Sequence, residues 1–316
     1  MFESYTEQIC LEAESRADEI RQTLELNTLY IGGGTPSVLP LTSLERIVRC
    51  LLNITGSRDW DEFTIEVNPE DIVEKGEDYV RGLLRLGVSR ISMGVQSLDD
   101  GILRWMRRRH SADGARKAFE TLRKAGTDNL SADIIFGVPG LSDVALERTV
   151  EDILALGPEH ISAYQLSIEE GSELAADIAK GVCSELGEEN CRMQYELICK
   201  ALAKAGYHHY EISNWAVSGR EAIHNSAYWQ RLPYAGLGPG AHSLCRSQAE
   251  AADADIRKWN SQALSGWTSD HEKLSEKEIS EEKVMLGLRT KSGWSGRILS
   301  EKEWFVADSI ILDNLQ

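Results

Sequence analysis

The sequence predicts an α/β fold in which parallel strands alternate with helices that cover them, and three observations carry this prediction. Through the first half of the 316-residue chain, short β-branched segments alternate with longer helical ones. In several strands the polar residues recur at every second position, so that one face of each strand is polar. A run of three glycines follows the first strand, although a strand interior disfavours glycine. Crossovers of this length indicate parallel strands with their helices outside.

The elements of the first half follow one another in a regular order. A helix over about residues 4–24 opens the series, and a second helix begins near Thr42, where Thr, Ser, Leu and Glu form a capping-box pattern. Five strands are predicted, over 28–33, 62–68, 90–96, 129–137 and 160–167, with further helices over 77–86, 99–125 and 143–156. Beyond about residue 170 the alternation stops, and helices are predicted near 186–205, 275–288 and 303–315.

Composition excludes several classes of function. Asp and Glu number 51 against 34 Lys and Arg, for a formal charge of −17, and such a surface repels nucleic-acid phosphates. No apolar run reaches membrane-spanning length. The acidic first twenty residues do not have the pattern of a secretory or transit peptide, so we expect a cytoplasmic protein. Six cysteines are too few for a disulfide scaffold and are expected to be reduced thiols.

Strand phase places three polar side chains on one interior face. In the segment EFTIEVNPED the apolar residues alternate with Thr64 and Glu66. In RISMGVQS the same alternation leaves Gln96 on the polar face, and in NLSADIIFG it leaves Asp133 there. Any one of these residues is more often a satisfied core polar group. The three together, beside a glycine-rich turn, predict a solvated cavity that holds a polar ligand.

The glycine run lies in the segment YIGGGTPS, residues 30–37. A glycine-rich turn between a strand and a helix is often a phosphate cradle, but the Lys-Ser/Thr of a P-loop and the spaced glycines of a dinucleotide site are both absent. Glycines alone could mark a tight turn. Combined with the polar face, they favour a backbone edge that hydrogen-bonds a small zwitterion or carboxylate.

Several segments together resemble a known family. YIGGGTPS, EVNPED, RISMGVQS, MRRRH and DIIFGVPG, in this order, are similar to segments of radical S-adenosylmethionine (SAM) proteins. Within them, YEISNWA, HNSAYW and YAGLGPGAHS resemble the haem chaperones of the HemW family more than oxygen-independent coproporphyrinogen dehydrogenases. The resemblance covers about residues 1–245, with weaker echoes at 287–289 and 304–311.

The resemblance implies a partial (β/α)₆ barrel that holds SAM and a [4Fe–4S] cluster. Gly33, Gly34 and Thr35 would face the methionyl group of SAM. Its other contacts would be Glu66, Gln96, Arg108 and Asp133, three of which strand phase independently turns inward. The haem-binding motif HNxxYW is matched by His224, Asn225, Tyr228 and Trp229. The implied partners are haem and haem-accepting proteins.

The sequence departs from the family pattern in two places. The CxxxCxxC motif that would ligate the cluster does not occur in it, and the first barrel strand is missing, so two open sheet edges are expected. Cys191 and Cys199 lie eight residues apart on a predicted helix, too far apart along it to share one small cluster. Between Trp294 and Arg297 the family would carry most of a terminal helical domain. The expected regions are a truncated barrel over 1–170, an accessory region over 171–246 and a shortened helical region over 247–316.

Three hypotheses of function follow. The first is a HemW-like chaperone that binds haem through His224, although HNSAYW could simply be a capped turn whose aromatic residues cover the barrel. The second is a radical-SAM coproporphyrinogen dehydrogenase, which needs the cluster; without its ligands no radical chemistry is expected of this chain, and whether it is an enzyme stays open. The third is an inactive fragment. His208 and His209 are expected to be surface histidines.

Overall fold

Five parallel strands, adjacent in chain order, form a sheet that curves into part of a barrel. They are β1 (Thr28–Ile31), β2 (Glu62–Val67), β3 (Arg90–Gln96), β4 (Leu130–Phe136) and β5 (His160–Gln165). In this computed structural model, residues 2–23, 25, 27–56, 59–247 and 254–315 are described. All five predicted strands are confirmed, each within two residues at either end.

A short hairpin, which the sequence pattern did not reveal, completes the sheet. It consists of β6 (His208–Glu211) and β7 (Asn214–Ala216), and β7 pairs antiparallel with β5. The strand order is therefore β1-β2-β3-β4-β5-β7-β6, which leaves β1 and β6 at the edges. Trp215 of β7 is fully buried, and this burial anchors the hairpin on the main core.

The outer face of the sheet carries the main hydrophobic core. Alternate strand residues such as Phe63, Ile65, Ile91, Met93 and Leu130 are completely buried against helical residues. The covering helices are α3 (Leu41–Thr55), α4 (Pro69–Arg85), α5 (Asp100–Trp105), α6 (Ala112–Ala125), α7 (Asp143–Leu156) and α9 (Glu188–Lys204), while α8 (Glu173–Ala179) precedes α9. Because the apolar strand face takes up the helices, the other face is left to line the interior, as strand phase predicted.

Several predicted helix boundaries were wrong. The capping box at Thr42 does not form, since α3 begins at Leu41 directly after Pro40 and no side chain caps it. The helix predicted over 77–86 is confirmed as the second part of α4, but the first part, from Pro69 to the non-helical Gly76, was missed. The stretch 99–125 is divided between α5 and α6, because Arg107 adopts a left-handed conformation between them, with φ of 56°.

The N-terminal segment forms two helices, α1 (Phe2–Ser15) and α2 (Ala17–Gln22), where one over 4–24 was predicted; residue 24 lies outside the described residues. α1 packs on α3 through a separate apolar cluster. Its buried Glu12 accepts hydrogen bonds from the Arg16 guanidinium at 2.8 Å, the Gly238 amide at 2.9 Å and the Asn260 side chain at 2.7 Å. These polar contacts join α1 to the chain around Gly238 and Asn260.

The C-terminal part combines a second sheet with helices. β8 (His242–Ser247), β9 (Ala254–Asn260) and β10 (Ser269–Lys273) form an antiparallel sheet that the sequence did not reveal. The predicted helix 275–288 is confirmed as α11 (Glu276–Leu288), and the last predicted helix is split into α12 (Glu301–Trp304) and α13 (Ala307–Leu315). Before β8 lies α10 (Ile223–Trp229), which contains the HNSAYW segment. None of the helices in the described residues is long and apolar enough to span a bilayer.

Candidate ligand-binding site

The interior of the curved sheet encloses a cavity of about 580 Å³, here called the barrel cavity. Its volume is within the range of sites for small molecules and cofactors. Six of the seven residues predicted to contact SAM line it: Gly34, Thr35, Glu66, Gln96, Arg108 and Asp133. The seventh, Gly33, is adjacent, since its backbone amide donates to Glu66 at 3.0 Å. The structure therefore brings together predicted residues from β2, β3, β4 and the turn after β1 with Arg108, which lies between α5 and α6.

Glu66 and the glycine turn form one hydrogen-bonded unit. One carboxylate oxygen of Glu66 accepts from the Tyr30 hydroxyl at 2.6 Å, and the other accepts from the Gly33 amide. Gly32 is needed for close approach, because a Cβ there would meet the Tyr30 ring and stand 2.8 Å from Glu66 Oε1. Gly33 and Gly34 have φ of 79° and 62°, which other residues rarely adopt. The glycines thus serve contacts within the protein as well as the rim of the cavity.

Asp133 lies on the polar face of β4 among serines from three neighbouring strands. The Ser92 hydroxyl lies 2.9 and 3.0 Å from its two carboxylate oxygens, and Ser131 donates at 3.2 Å. Burial raises the pKa of Asp133 to about 6, while the hydroxyls of Ser162, Ser92 and Ser131 oppose the shift. Asp133 is therefore a fixed acceptor for hydrogen-bond donors of a bound ligand.

Gln96 reaches the cavity by an irregular route. A bulge interrupts the pairing of β3 with β4 between Gly94 and Gln96, and Gln96 has a left-handed φ of 65°. A Cβ on Gly94 would stand 2.7 Å from the Gln96 side-chain nitrogen. Simple alternation predicted the correct face, but the side chain is aimed by the bulge. A left-handed backbone at a non-glycine residue beside a cavity is a common feature of functional sites.

The floor of the barrel cavity contains a polar network that the sequence analysis missed. Buried His160 on β5 has its Nδ1 2.8 Å from the Ser131 hydroxyl and its Nε2 2.8 Å from the Tyr210 hydroxyl. Tyr210 in turn accepts from the Ala222 amide at 3.2 Å. Burial lowers the pKa of His160 well below its ordinary value, and nearby Arg90 adds to this, so the imidazole is neutral. The network connects the Asp133 region with the start of α10.

Glu62, at the beginning of β2, makes a second connection to α10. Its carboxylate accepts from the backbone amides of Ile223 at 3.0 Å and His224 at 3.1 Å, and from the Thr64 hydroxyl at 3.1 Å. An acidic side chain at this position satisfies amides that have no partner inside the helix. Glu62 shares the polar face with Thr64 and Glu66, so alternation could have revealed it had the polar face been followed to the start of the strand.

The four residues of the predicted haem motif share α10 but face three different cavities. Asn225 lines the barrel cavity. His224 and Tyr228 line a second cavity of about 410 Å³, here called the His224 cavity. Trp229 lines a third, of about 790 Å³, together with Arg231 and Trp294. The motif is therefore a junction between sites, and only two of its four side chains face one common space.

The His224 cavity lies between the free edge of the sheet, the N-terminal helices and the segment 232–242. Its wall is mainly apolar, with contributions from Ile9, Ile20, Leu29, Ile31, Leu51 and Leu237. A second imidazole, that of the exposed His242, also lines it. A predominantly apolar wall with a few polar groups is typical of sites that take large hydrophobic cofactors.

The imidazole of His224 is held on both sides. Its Nδ1 lies 2.7 Å from the Thr28 hydroxyl and its Nε2 2.9 Å from the Tyr228 hydroxyl. The ring stacks on Tyr30 with a centroid separation of 5.0 Å and an interplanar angle of 22°. Burial lowers the pKa of His224, although Glu62 opposes the shift, so the ring is neutral near pH 7. A neutral imidazole is the form that ligates a metal.

The other histidines include one wrong prediction. His208 is exposed, as expected, but His209 is 5% exposed and not a surface residue. It stacks on Trp215 with centroids 3.9 Å apart and contacts Trp304 edge to face. Burial lowers the pKa of His209 to about 3. His209 faces inward because β6 pairs with β7, and this pairing was not visible in the sequence.

No set of three or more His, Cys, Asp or Glu side chains in the described parts of the chain could hold a metal ion by itself. Cys191 and Cys199 are buried on α9, and the Cys50 thiol lies near Cys10 between α1 and α3. These positions are separate, and burial raises the pKa of Cys50 and Cys199 to about 12. The residues present do not fit a [4Fe–4S] cluster, whose ligands are thiolates.

The fold and the polar interior cavity define a radical SAM half-barrel. The sequence profile of the Radical SAM superfamily matches residues 5–153. Among solved structures, that of coproporphyrinogen III oxidase (HemN) from Escherichia coli, described as a radical SAM enzyme, superposes with a TM-score of 0.73 at 18% identity. That match covers 92% of this chain and 69% of the other. At this identity it is the fold that is shared.

Curated relatives narrow the assignment. The protein named heme chaperone HemW from Lactococcus lactis is 34% identical over 269 residues, which cover 85% of this chain and 70% of the relative. The HemW of Bacillus subtilis is 33% identical, covering 88% of this chain and 73% of the relative. The chain belongs to the HemW family of the radical SAM superfamily. It spans about seven tenths of the length of these relatives.

Proposed function

We propose that this chain binds haem and delivers it to haem proteins, with His224 as the ligand to the haem iron and SAM held in the barrel cavity. The observation that carries the proposal is the placement of His224. A neutral imidazole projects into a mainly apolar cavity, and its backbone is fixed by Glu62. The names of the curated relatives favour haem as the cargo.

The residues of the barrel cavity fit SAM. Glu66 and Asp133 are acceptors that suit the ammonium and hydroxyl groups of an amino acid joined to a nucleoside, and Arg108 supplies a cation. The turn at Gly34 and Thr35 brings bare backbone to the same cavity. Burial lowers the pKa of Arg108, which marks a partly desolvated guanidinium available to an anionic group.

The residues of the His224 cavity fit haem. Haem presents a large apolar surface and an iron that takes histidine as an axial ligand. Nδ1 of His224 is held by Thr28, so Nε2 is the nitrogen that ligates once the Tyr228 hydroxyl moves away. Leu29 and Ile31 extend the apolar wall along β1.

Radical chemistry is not part of the proposal, because the described residues do not fit the cluster that would supply the electron. The alternative function, oxidation of coproporphyrinogen III, depends on that cluster. A stoichiometric [4Fe–4S] cluster in anaerobically reconstituted protein, measured as iron and sulfide, would favour the alternative.

Titration of the purified chain with haemin, followed by its Soret band, tests the haem site. We expect saturable binding, and His224→Ala should weaken it by about tenfold or more, because the iron loses its axial ligand. The matched control is His208→Ala, which removes an exposed histidine far from the cavity wall. His242→Ala is measured in parallel, since that imidazole shares the cavity. An affinity that survives His224→Ala but is lost in His242→Ala would reject His224 as the ligand.

Delivery is tested separately from binding. The haem-loaded chain is mixed with apomyoglobin as a generic acceptor, and the spectrum of haem myoglobin is followed with time. Transfer faster than haem dissociation into buffer supports a chaperone, whereas transfer at the dissociation rate would leave only a haem-binding protein.

A further inference from the structure

We propose that Tyr30 is a positioning residue that couples the barrel cavity to His224. Whether Glu66 accepts the hydrogen bond from Tyr30 would then set the orientation of the His224 imidazole. The inference rests on the proposed function for its meaning, because it links the SAM site to the haem site. The geometry itself is independent of any ligand.

Tyr30 belongs to both sites. Its side chain lines the barrel cavity and the His224 cavity. The hydroxyl donates to Glu66 at 2.6 Å on one side, and the ring stacks on His224 on the other. One rigid aromatic ring therefore contacts both Glu66, which is predicted to bind SAM, and His224, which is predicted to bind haem.

The strand that carries Tyr30 contacts the imidazole at a second point, through Thr28. Thr28 and Tyr30 are two residues apart on β1, so their side chains share a face. Thr28 fixes His224 Nδ1 at 2.7 Å while Tyr30 covers the plane of the ring. A displacement of Tyr30 removes the stacking partner. Once the Tyr228 hydroxyl has also left Nε2 for ligation, the Thr28 hydrogen bond remains as a pivot.

The backbone of His224 is fixed by a different residue. Glu62 accepts from the amides of Ile223 and His224, and neither contact involves Tyr30. α10 can therefore stay in place when Tyr30 moves. What Tyr30 controls is the imidazole ring, whose orientation decides whether Nε2 is presented to a metal.

The hydrogen bond between Tyr30 and Glu66 is built into a confined space. A Cβ at Gly32 would meet both the Tyr30 ring and the Glu66 carboxylate, so the turn passes directly beside this contact. Glu66 Oε1 holds Tyr30, and Oε2 already accepts from Gly33. A carboxylate oxygen can accept two hydrogen bonds, but the space beside Oε1 is confined, so a ligand ammonium or hydroxyl that donates there competes with the Tyr30 hydroxyl.

Competition of this kind is reciprocal in free energy. A ligand that draws Glu66 away from Tyr30 loosens the stacking on His224, and haem ligation that depends on this stacking keeps the Tyr30 hydroxyl on Glu66, in competition with the ligand. We expect occupancy of the barrel cavity to weaken the haem site. A ligand in the barrel cavity would therefore promote release of the bound haem.

The first test uses the haem-free protein and the ring signals of selectively labelled histidines in NMR spectra, with His224 assigned from His224→Ala. Tyr30→Phe and Glu66→Gln should both shift the His224 ring signal. The matched control is Gln165→Ala, which alters the opposite wall of the same barrel cavity. An unchanged His224 signal in Glu66→Gln, or an equal shift in Gln165→Ala, would overturn the coupling.

The second test is a double-mutant cycle on haem affinity. Tyr30→Phe and Glu66→Gln should each change the haem dissociation constant by about three- to tenfold, and the double variant should change it no more than the larger single one. Changes that multiply would mean that the residues act independently. Thermal unfolding of each variant checks that it is folded.

Failure of the coupling and failure of the proposed function remain distinguishable. If wild-type protein takes up no haem, the proposed function fails, and the NMR measurement still decides whether Glu66 controls His224. If haem binds but the cycle is additive and the NMR signal is unmoved, only the coupling fails.

Discussion

The barrel cavity and the His224 cavity adjoin the same strand, β1, yet they are built in different ways. The barrel cavity is lined by one face of successive parallel strands, and its acids are already engaged: Asp133 by serines, Glu66 by Tyr30 and Gly33. The His224 cavity is assembled from helices, an edge strand and the segment 232–242, and its wall is mainly apolar.

This difference predicts which of the two cavities keeps its shape without a ligand. Polar groups that bond one another keep the barrel cavity shaped without a ligand, and this preorganisation favours tight, oriented binding. An apolar cavity gains stability only when something displaces its water. We therefore expect a ligand to stabilise the His224 cavity strongly, while the barrel cavity keeps its shape whether or not it is filled.

The largest expected effect is on the free energy of unfolding, and it concerns two paired residues on β1 and β2. Ile65 and Ile31 are direct partners in the β2–β1 pairing, but Ile65 is fully buried, whereas Ile31 is half-buried at the His224 cavity. Ile65→Ala should reduce the free energy of unfolding by about 2–5 kcal/mol, and Ile31→Ala by about 1 kcal/mol or less. Urea unfolding of both variants measures the difference. Equal losses would mean that the edge of the sheet is packed as tightly as its centre.

The next effect separates the two cavities by ligand. Asp133→Asn should weaken SAM binding by about tenfold and leave haem affinity unchanged, since Asp133 does not line the His224 cavity. His224→Ala should weaken haem binding strongly and alter SAM affinity only through the contact between His224 and Tyr30. Isothermal titration with SAM and Soret titration with haemin give the affinity of each variant for each ligand. Loss of both ligands in either variant would show that the cavities are a single site.

The last effect concerns the pH dependence of stability. The pKa of Asp133 is raised to about 6, so the folded state binds this proton more tightly than the unfolded chain does. The stability gained from that proton is fully present below about pH 4 and is lost as the pH rises through about 6. Asp133→Asn should therefore be more stable than wild type above pH 6, by up to about 3 kcal/mol for a pKa rise of this size, and the difference should vanish near pH 4.

Exposed Asp113 provides the control for this prediction. It pairs with Lys117 on the surface, and that lysine holds the pKa of Asp113 below its usual value. Asp113→Asn should not reproduce the gain above pH 6. Thermal unfolding between pH 4 and 8 measures both variants, and an identical profile for the two would reject burial as the cause.

Much of the fold was predictable because it depends on local periodicity. All five barrel strands were found, and the inward face of Glu66, Gln96 and Asp133 followed from alternation. Helix ends were less predictable, since the cap at Thr42 was displaced by Pro40. The hairpin that buries His209 was missed, because its strands are short and pair with a partner far along the chain.

The sequence by itself determined the order of strands, the polar interior and the family, since a two-residue repeat and several short motifs are local properties of the chain. Only the tertiary structure decided that the four residues of the predicted haem motif face three cavities, and that Tyr30 stands between Glu66 and His224. Those relations join residues up to 194 positions apart in the 316-residue chain, Tyr30 and His224, and distances of that kind are set by packing alone.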